Sequence, residues 1–150
     1  MKKNNITVEN YTGSKIILRD IFRAADFFRK ISKNGFEALS VSFVNDDEME
    51  VMNQKHLSHK GSTDIITFDY SEVPGGKLID GEIIICVDEA KRHSKIYKVT
   101  LTDELYRLLF HGLLHLTGYD DINPGKKKAM TAKEDELLTL WNQFNLNILK

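Results

Sequence analysis

Residues 102–121 read Thr-Asp-Glu-Leu-Tyr-Arg-Leu-Leu-Phe-His-Gly-Leu-Leu-His-Leu-Thr-Gly-Tyr-Asp-Asp. Leu105, Leu108, Leu109, Leu113 and Leu116 recur at helical spacing, so the stretch predicts an apolar helix capped by Thr102 and ended by Gly118. A helix this apolar belongs at the centre of a core. His111 and His115 stand four residues apart, which projects both imidazoles from one face about a turn apart, the geometry with which helices hold zinc. Gly118 can take the left-handed conformation that reverses the chain and returns a later residue over that face. Asp121 supplies a carboxylate there, and the adjacent Asp120 competes with it, since spacing alone does not choose between them. Three protein ligands and a water describe a catalytic zinc, whereas a structural site closes all four positions, usually with cysteines. Cys86 is the sole cysteine.

Outward from this helix, Ile6 and Val8 alternate as a short strand. Ser14 is placed to cap a helix carrying Ile17, Ile21, Ala24 or Ala25, Phe28 and Ile31, stopped by Gly35. Leu39, Val41 and Phe43 alternate as a half-buried strand. Asn45, followed by Asp46, Asp47 and Glu48, sets a cap and three carboxylates at the start of a helix running to about Leu57. Two strands follow, Thr63 to Asp69 and Glu82 to Val87, separated by a Pro74-Gly75-Gly76 turn. A helix near Asp88 to Tyr97 precedes the central one. Pro124 opens the last, with Met130, Leu137, Trp141 and Phe144 along one side. The expected class is α+β: a small mixed sheet of about four strands packed by about five helices, with the metal site at the end of the central helix.

A length of 150 residues predicts a single domain over 1–150, and 41% hydrophobic residues suffice for a core without disulfides. A lone thiol, and a start of MKKNNITVEN without an apolar segment behind its lysines, predict a reducing cytoplasm and no secretion. The longest apolar run, Ile83 to Val87, is far short of the ~20 residues a membrane helix needs. The net charge of −1 argues against a polyanion partner taken alone. It averages sums of +4, −8 and +3 over residues 1–40, 41–90 and 91–150, and such separate lobes leave nucleic acid open as a partner.

His111, His115, Gly118 and Asp121 also match the offsets of the H-E-x-x-H-x-x-G-x-x-H metalloproteases. Gly112, however, stands where those proteases carry the glutamate base, and glycine has no group to take a proton. A peptidase of that type is therefore the least favoured reading. The chain instead resembles the YbeY family of rRNA-maturation endoribonucleases, whose signature is H-G-x-L-H-L-x-G-Y-D-H. Every fixed position from His111 to Asp120 matches, and Asp121 stands where the family has its third histidine. Thr63-Asp64-Ile65-Ile66-Thr67-Phe68 is similar to the family's T-D-V-L-S-F strand, and Gly81-Glu82-Ile83 to its G-D-I.

The resemblance implies one zinc ion per chain on His111, His115 and Asp121, and a phosphodiester of single-stranded RNA as the bond hydrolysed. It places Asp64 and Glu82 near the metal, as groups that orient water or the ligands. Arg19, Arg23, Arg29 and Lys30 of the first helix are candidates to guide the RNA backbone. Many members carry an arginine where this chain has Leu57. His56, His59 and Lys60 lie nearby, and His59 or Lys60 is a candidate substitute. His93 and Cys86 read as structural. The family role implied is maturation of the 3′ end of small-subunit ribosomal RNA and ribosome quality control in the cytoplasm, with the small ribosomal subunit and its factors as partners and no membrane. The alternative is a ribosome assembly factor whose metal mainly organises the fold.

Overall fold

The computed structural model describes residues 2–57, 63–73 and 75–149. The readings for the side chains of His56 and Leu57, and for His59, Lys60 and Pro74, fall outside the described residues. Among the described residues, five helices pack on one mixed five-stranded sheet, ordered β1-β2-β3-β5-β4. The strands are β1 (Lys2–Lys3), β2 (Ile6–Asn10), β3 (Gly35–Val44), β4 (Ile65–Asp69) and β5 (Leu78–Cys86). The helices are α1 (Leu18–Ser32), α2 (Asp46–Leu57), α3 (Val87–Tyr97), α4 (Leu101–Leu116) and α5 (Pro124–Leu149). The central strands β2, β3 and β5 run parallel, and β1 and β4 are antiparallel edges.

The fifth strand, β1, escapes sequence reading because two lysines show no alternation. It exists because Asn4 and Asn5 adopt φ of 52° and 66°, the left-handed pair that closes a two-residue hairpin onto β2. Ser14 does not cap α1. Its hydroxyl accepts from Lys91 Nζ at 2.8 Å, and its carbonyl accepts from Asn10 at 2.9 Å, so it is engaged in the loop. The helix starts at Leu18, three residues later than a Ser14 cap would place it, with Ile17 as an exposed N-cap without a side-chain bond. It ends on Lys33 in the left-handed conformation, and Gly35 instead begins β3. Similarly, β5 begins at Leu78 rather than Glu82, because pairing with β3 carries the strand through Asp80 and Gly81. Val87 turns into α3. Thr100, not Thr102, caps α4, accepting from the Asp103 N–H at 3.1 Å. Thr-x-x-Asp beginning at residue 100 is the signal that identifies it.

One face of the sheet carries most of the core. There α1, α4 and α5 bury Phe28, Phe110, Leu113 and Trp141 against Val41, Phe43, Ile83 and Ile85. On the other face α2 covers a smaller cluster around Met49, Ile66, Ile84 and Cys86. The parity of β5 follows: Ile83 and Ile85 face α4, while Glu82, Ile84 and Cys86 face away. Gly112 lets α4 lie flush on β5, since a Cβ there would come within 2.9 to 3.1 Å of the Ile83 side chain. Position 112 thus points at the sheet, a second reason it offers no catalytic base. Among the described residues no helix is long and apolar enough to cross a membrane.

Candidate metal centre

The last two turns of α4 present His111 and His115 at the edge of the sheet beside β4. The turn is locked as the sequence suggests: Gly118 has φ of 104°, its N–H donates to His115 O at 3.1 Å, and Tyr119 N–H donates to Leu114 O at 3.0 Å. This paired closure reverses the chain and returns Asp121 over the two imidazoles. His111 Nε2 and His115 Nε2 stand 3.1 Å apart, and His115 Nε2 lies 4.0 Å from Asp121 Oδ1. One atom from each of the three residues falls within 4.8 Å of the others. Asp120 is turned elsewhere, its carboxylate accepting from Ile122 N–H and facing Lys126 at 3.5 Å. Of the two competing aspartates, Asp121 is the one that joins the histidines.

These donors fit a small divalent cation. Two nitrogens bonded to zinc at about 2.0–2.1 Å in a tetrahedral shell stand about 3.4 Å apart, close to the spacing found. The outer side of His111 is already committed, because its Nδ1 faces Glu134 Oε2 at 2.8 Å. A proton held there leaves Nε2 with its lone pair directed at the cluster. His115 bonds the backbone of Tyr119 in the same manner. With a proton on each outer ring nitrogen, two imidazole lone pairs and a carboxylate oxygen converge, which is a cation's donor set.

Electrostatics separate the two rings. Burial alone would lower the pKa of His111, but the Glu134 hydrogen bond and charge, aided by Asp121 and Asp64, carry it above the ordinary imidazole value. Burial lowers that of His115, and the neighbouring His111 lowers it further. Without a cation, His111 is therefore the ring that takes the proton.

Glu134 was not apparent as a site residue from sequence. Its signal is a carboxylate inside the buried stripe of α5, between Met130 and Leu137. Arg107 extends the network, reaching Glu134 Oε1 at 3.4 Å and Asp135 Oδ1 at 2.7 Å. Its own pKa is raised despite burial by these two carboxylates.

A cleft of about 510 Å³ opens beside the cluster, lined by Asp64 to Thr67, Asp69, His111, His115 and Asp121. It adjoins a second compartment of about 240 Å³, where Asp64, His111 and Asp121 recur with His93, Glu104, Arg107, Lys127 and Glu134. Asp64 is thus brought to the site. His93, read as structural, lies on the wall of this compartment, 3.6 Å from Asp64 and 3.5 Å from Glu89. Glu104 is 97% buried there, and desolvation raises its pKa.

The structure does not bring Glu82 to the cleft. It sits on the opposite face of the sheet, paired in register with Phe68 and bonded to Tyr70. The basic residues of α1 do not line the cleft either. Arg23 pairs with Asp20 and lies over the Trp141 ring at 5.5 Å, Arg29 and Lys30 both pair with Asp26, and Arg19 is exposed. Among the described residues, Arg107 and Lys127 are the cations that line the adjoining compartment. Cys86 is buried on β5, its thiol 3.4 Å from Asp46.

Residues 2–142 match the family model described as Endoribonuclease YbeY. The Endoribonuclease YbeY of Cytophaga hutchinsonii is 45% identical over 111 residues, covering 74% of this chain and 76% of that protein. The one from Syntrophus aciditrophicus is 33% identical over 138 residues, covering 89% and 86%. The solution structure of TM1509 from Thermotoga maritima superposes with a TM-score of 0.68 at 24% identity, covering 95% of this chain and 93% of that one, and so shares the fold. With a family match over nearly its whole length, and a histidine pair and aspartate gathered at one cleft, this chain belongs to the YbeY family of endoribonucleases.

Proposed function

We infer that this chain is a metal-dependent endoribonuclease that hydrolyses phosphodiester bonds of single-stranded RNA, with one zinc ion held by His111, His115 and Asp121. The observation that carries this reading is the convergence of those three donors at the wall of an open cleft. Zinc bound by three protein groups supplies a water acidic near neutral pH and an electrophile for a phosphoryl oxygen. The chain's own residues do the rest. Glu134 holds the His111 ring in one tautomer and orientation. Asp64, within reach of His93, is placed to orient a water or receive its proton. Arg107 and Lys127 offer positive charge to the RNA backbone in the adjoining compartment, where the acidic groups would otherwise repel it.

The biological task consistent with the family is maturation of the 3′ end of small-subunit ribosomal RNA and ribosome quality control in the cytoplasm. The alternative, an assembly factor with a structural metal, predicts that metal removal unfolds the chain. The packing favours catalysis, because α4 is fixed by its buried leucines and Phe110 while the donors lie at the surface of the core.

Purified protein should contain one zinc per chain and cleave an unstructured oligoribonucleotide, and a chelator should abolish cleavage while circular dichroism stays unchanged. Chelator-resistant cleavage, or an inert zinc-loaded protein, would refute the assignment.

A further inference from the structure

One wall of the metal cleft is made of backbone. β4 is the outermost strand on its side of the sheet, and no described strand pairs with its far edge. Its register on β5 is bracketed by two bonds: Cys86 N–H donates to Asp64 O at 2.9 Å, and Tyr70 N–H donates to Asp80 O at 2.7 Å. An antiparallel ladder alternates between pairs that exchange hydrogen bonds and pairs that do not. Even-numbered residues of β4 therefore turn their peptide groups toward β5, and Ile65, Thr67 and Asp69 turn theirs outward. These same three residues line the cleft opposite His111, His115 and Asp121. At Asp69 the strand closes into a turn, with its carboxylate accepting from Ser71 N–H at 2.9 Å, so the open stretch consists of Ile65 and Thr67.

We propose that the outward N–H and C=O groups of Ile65 and Thr67 grip the substrate strand by hydrogen-bonding the Watson–Crick edge of an unpaired nucleotide beside the scissile phosphate. This rests on the endoribonuclease reading above and specifies how the cleft selects single strands. Each outward residue presents one donor beside one acceptor. Every nucleobase carries a complementary neighbouring pair on that edge, such as the amino group and ring nitrogen of adenine or the imino N–H and carbonyl of uracil. A backbone edge of this kind accepts any base but refuses one already paired, since pairing occupies the edge being read. Charge agrees with this orientation. Asp64, Asp69 and Asp121 surround the wall, so the uncharged base belongs against β4, and the phosphates belong at the cation site and toward Arg107 and Lys127. The rival occupant, an extended peptide adding a strand, would find only two open residues before the turn, too short a ladder for strand addition.

Thr67→Pro tests the proposal, because it deletes one outward N–H and no bond to β5, and proline is tolerated on such an edge. Thr67→Ala controls for the side chain. On an unstructured oligoribonucleotide, Thr67→Pro should keep its metal and raise KM about ten-fold with a smaller change in kcat, the effect of losing uniform binding from one or two hydrogen bonds. Thr67→Ala keeps the N–H and should raise KM far less than Thr67→Pro does. A metal-loaded, folded Thr67→Pro with wild-type KM overturns the proposal. A second measurement needs no substitution: amide hydrogen exchange of the wild type with a 2′-O-methyl oligonucleotide should slow at Ile65 and Thr67. Unchanged exchange at both amides with the oligonucleotide bound overturns it, as does slowing by an extended peptide and not by the oligonucleotide. A wild type that neither binds nor cleaves RNA overturns the endoribonuclease reading as well, whereas wild-type cleavage with an unaffected Thr67→Pro overturns this proposal alone.

Discussion

Two of the three proposed metal donors sit on a helix and the third on a turn, and helix and turn are held by forces of different size. His111 and His115 belong to α4, whose Leu109, Phe110 and Leu113 are fully buried. Burial of each such side chain contributes about 1.5–3 kcal/mol, so the helix cannot shift without a large loss. Asp121 is held over them by the closure at Gly118, whose hydrogen bonds contribute about 0.5–1.5 kcal/mol each, and its side chain is 44% exposed. The helix thus sets where the cation site is, and the turn completes it. A site with two rigid donors and one adjustable donor tolerates a change of ligand type on the turn better than any change on the helix. This is how aspartate can occupy position 121 where the family signature has histidine.

The largest effect should come from breaking the rigid half. His111→Ala combined with His115→Ala should leave a folded protein with no stoichiometric metal by elemental analysis, and full metal content in that variant would disprove the ligand set. Next comes the adjustable half. Asp121→Ala should lose most metal affinity, Asp121→His should retain metal and RNA cleavage, and Asp120→Ala should leave affinity near wild type. Affinity lost in Asp120→Ala but kept in Asp121→Ala would show the turn delivering the other carboxylate.

A smaller loss sharpens the comparison from behind the helix. Glu134→Gln preserves the shape of the contact to His111 but removes its charge, and metal affinity should fall by about 10- to 100-fold, as for other groups that orient a ligating histidine. An unchanged dissociation constant by competitive titration would show that packing alone orients the ring.

The smallest effect is on the pH dependence of metal-free stability. His111 has a folded-state pKa raised above the unfolded value of about 6.5, so its pairing with Glu134 stabilises fully below that pH and is lost as pH rises through the raised value. The stability difference between wild type and Glu134→Gln, measured by thermal unfolding without metal, should therefore be greatest in mild acid and shrink toward alkaline pH. His115 shifts the opposite way, chiefly through burial, which Glu134→Gln leaves unchanged. A difference that grows with pH would contradict the assigned direction.

Much of this arrangement was legible before the fold was known. The four-residue spacing of His111 and His115, the glycine that ends their helix and the carboxylates after it are local features, and helix geometry translates them directly into proximity. Capping was harder: Ser14 and Thr102 are suitable residues one turn or less from a helix start, but Ser14 is bonded to Lys91 across the fold and Thr100 supplies the bond at α4. Glu82 shows where strand reading stops. Ile83, Ile84 and Ile85 are all buried, because both faces of β5 are covered, so the run shows no alternation to tell which face a neighbouring carboxylate takes.

The sequence by itself determined the elements that rest on neighbours in the chain: the helical stripes, the histidine pair, the reversal at Gly118 and the lack of a base at Gly112. Only the tertiary structure decided that Asp121 rather than Asp120 joins the pair, that Glu134 reaches back 23 residues to His111, that Glu82 faces away, and that the edge of β4 forms the cleft wall. The physical reason is range. Helix spacing and glycine conformation act within a few bonds, whereas these four outcomes depend on which surfaces the core buries together, and that free energy belongs to the packed chain as a whole.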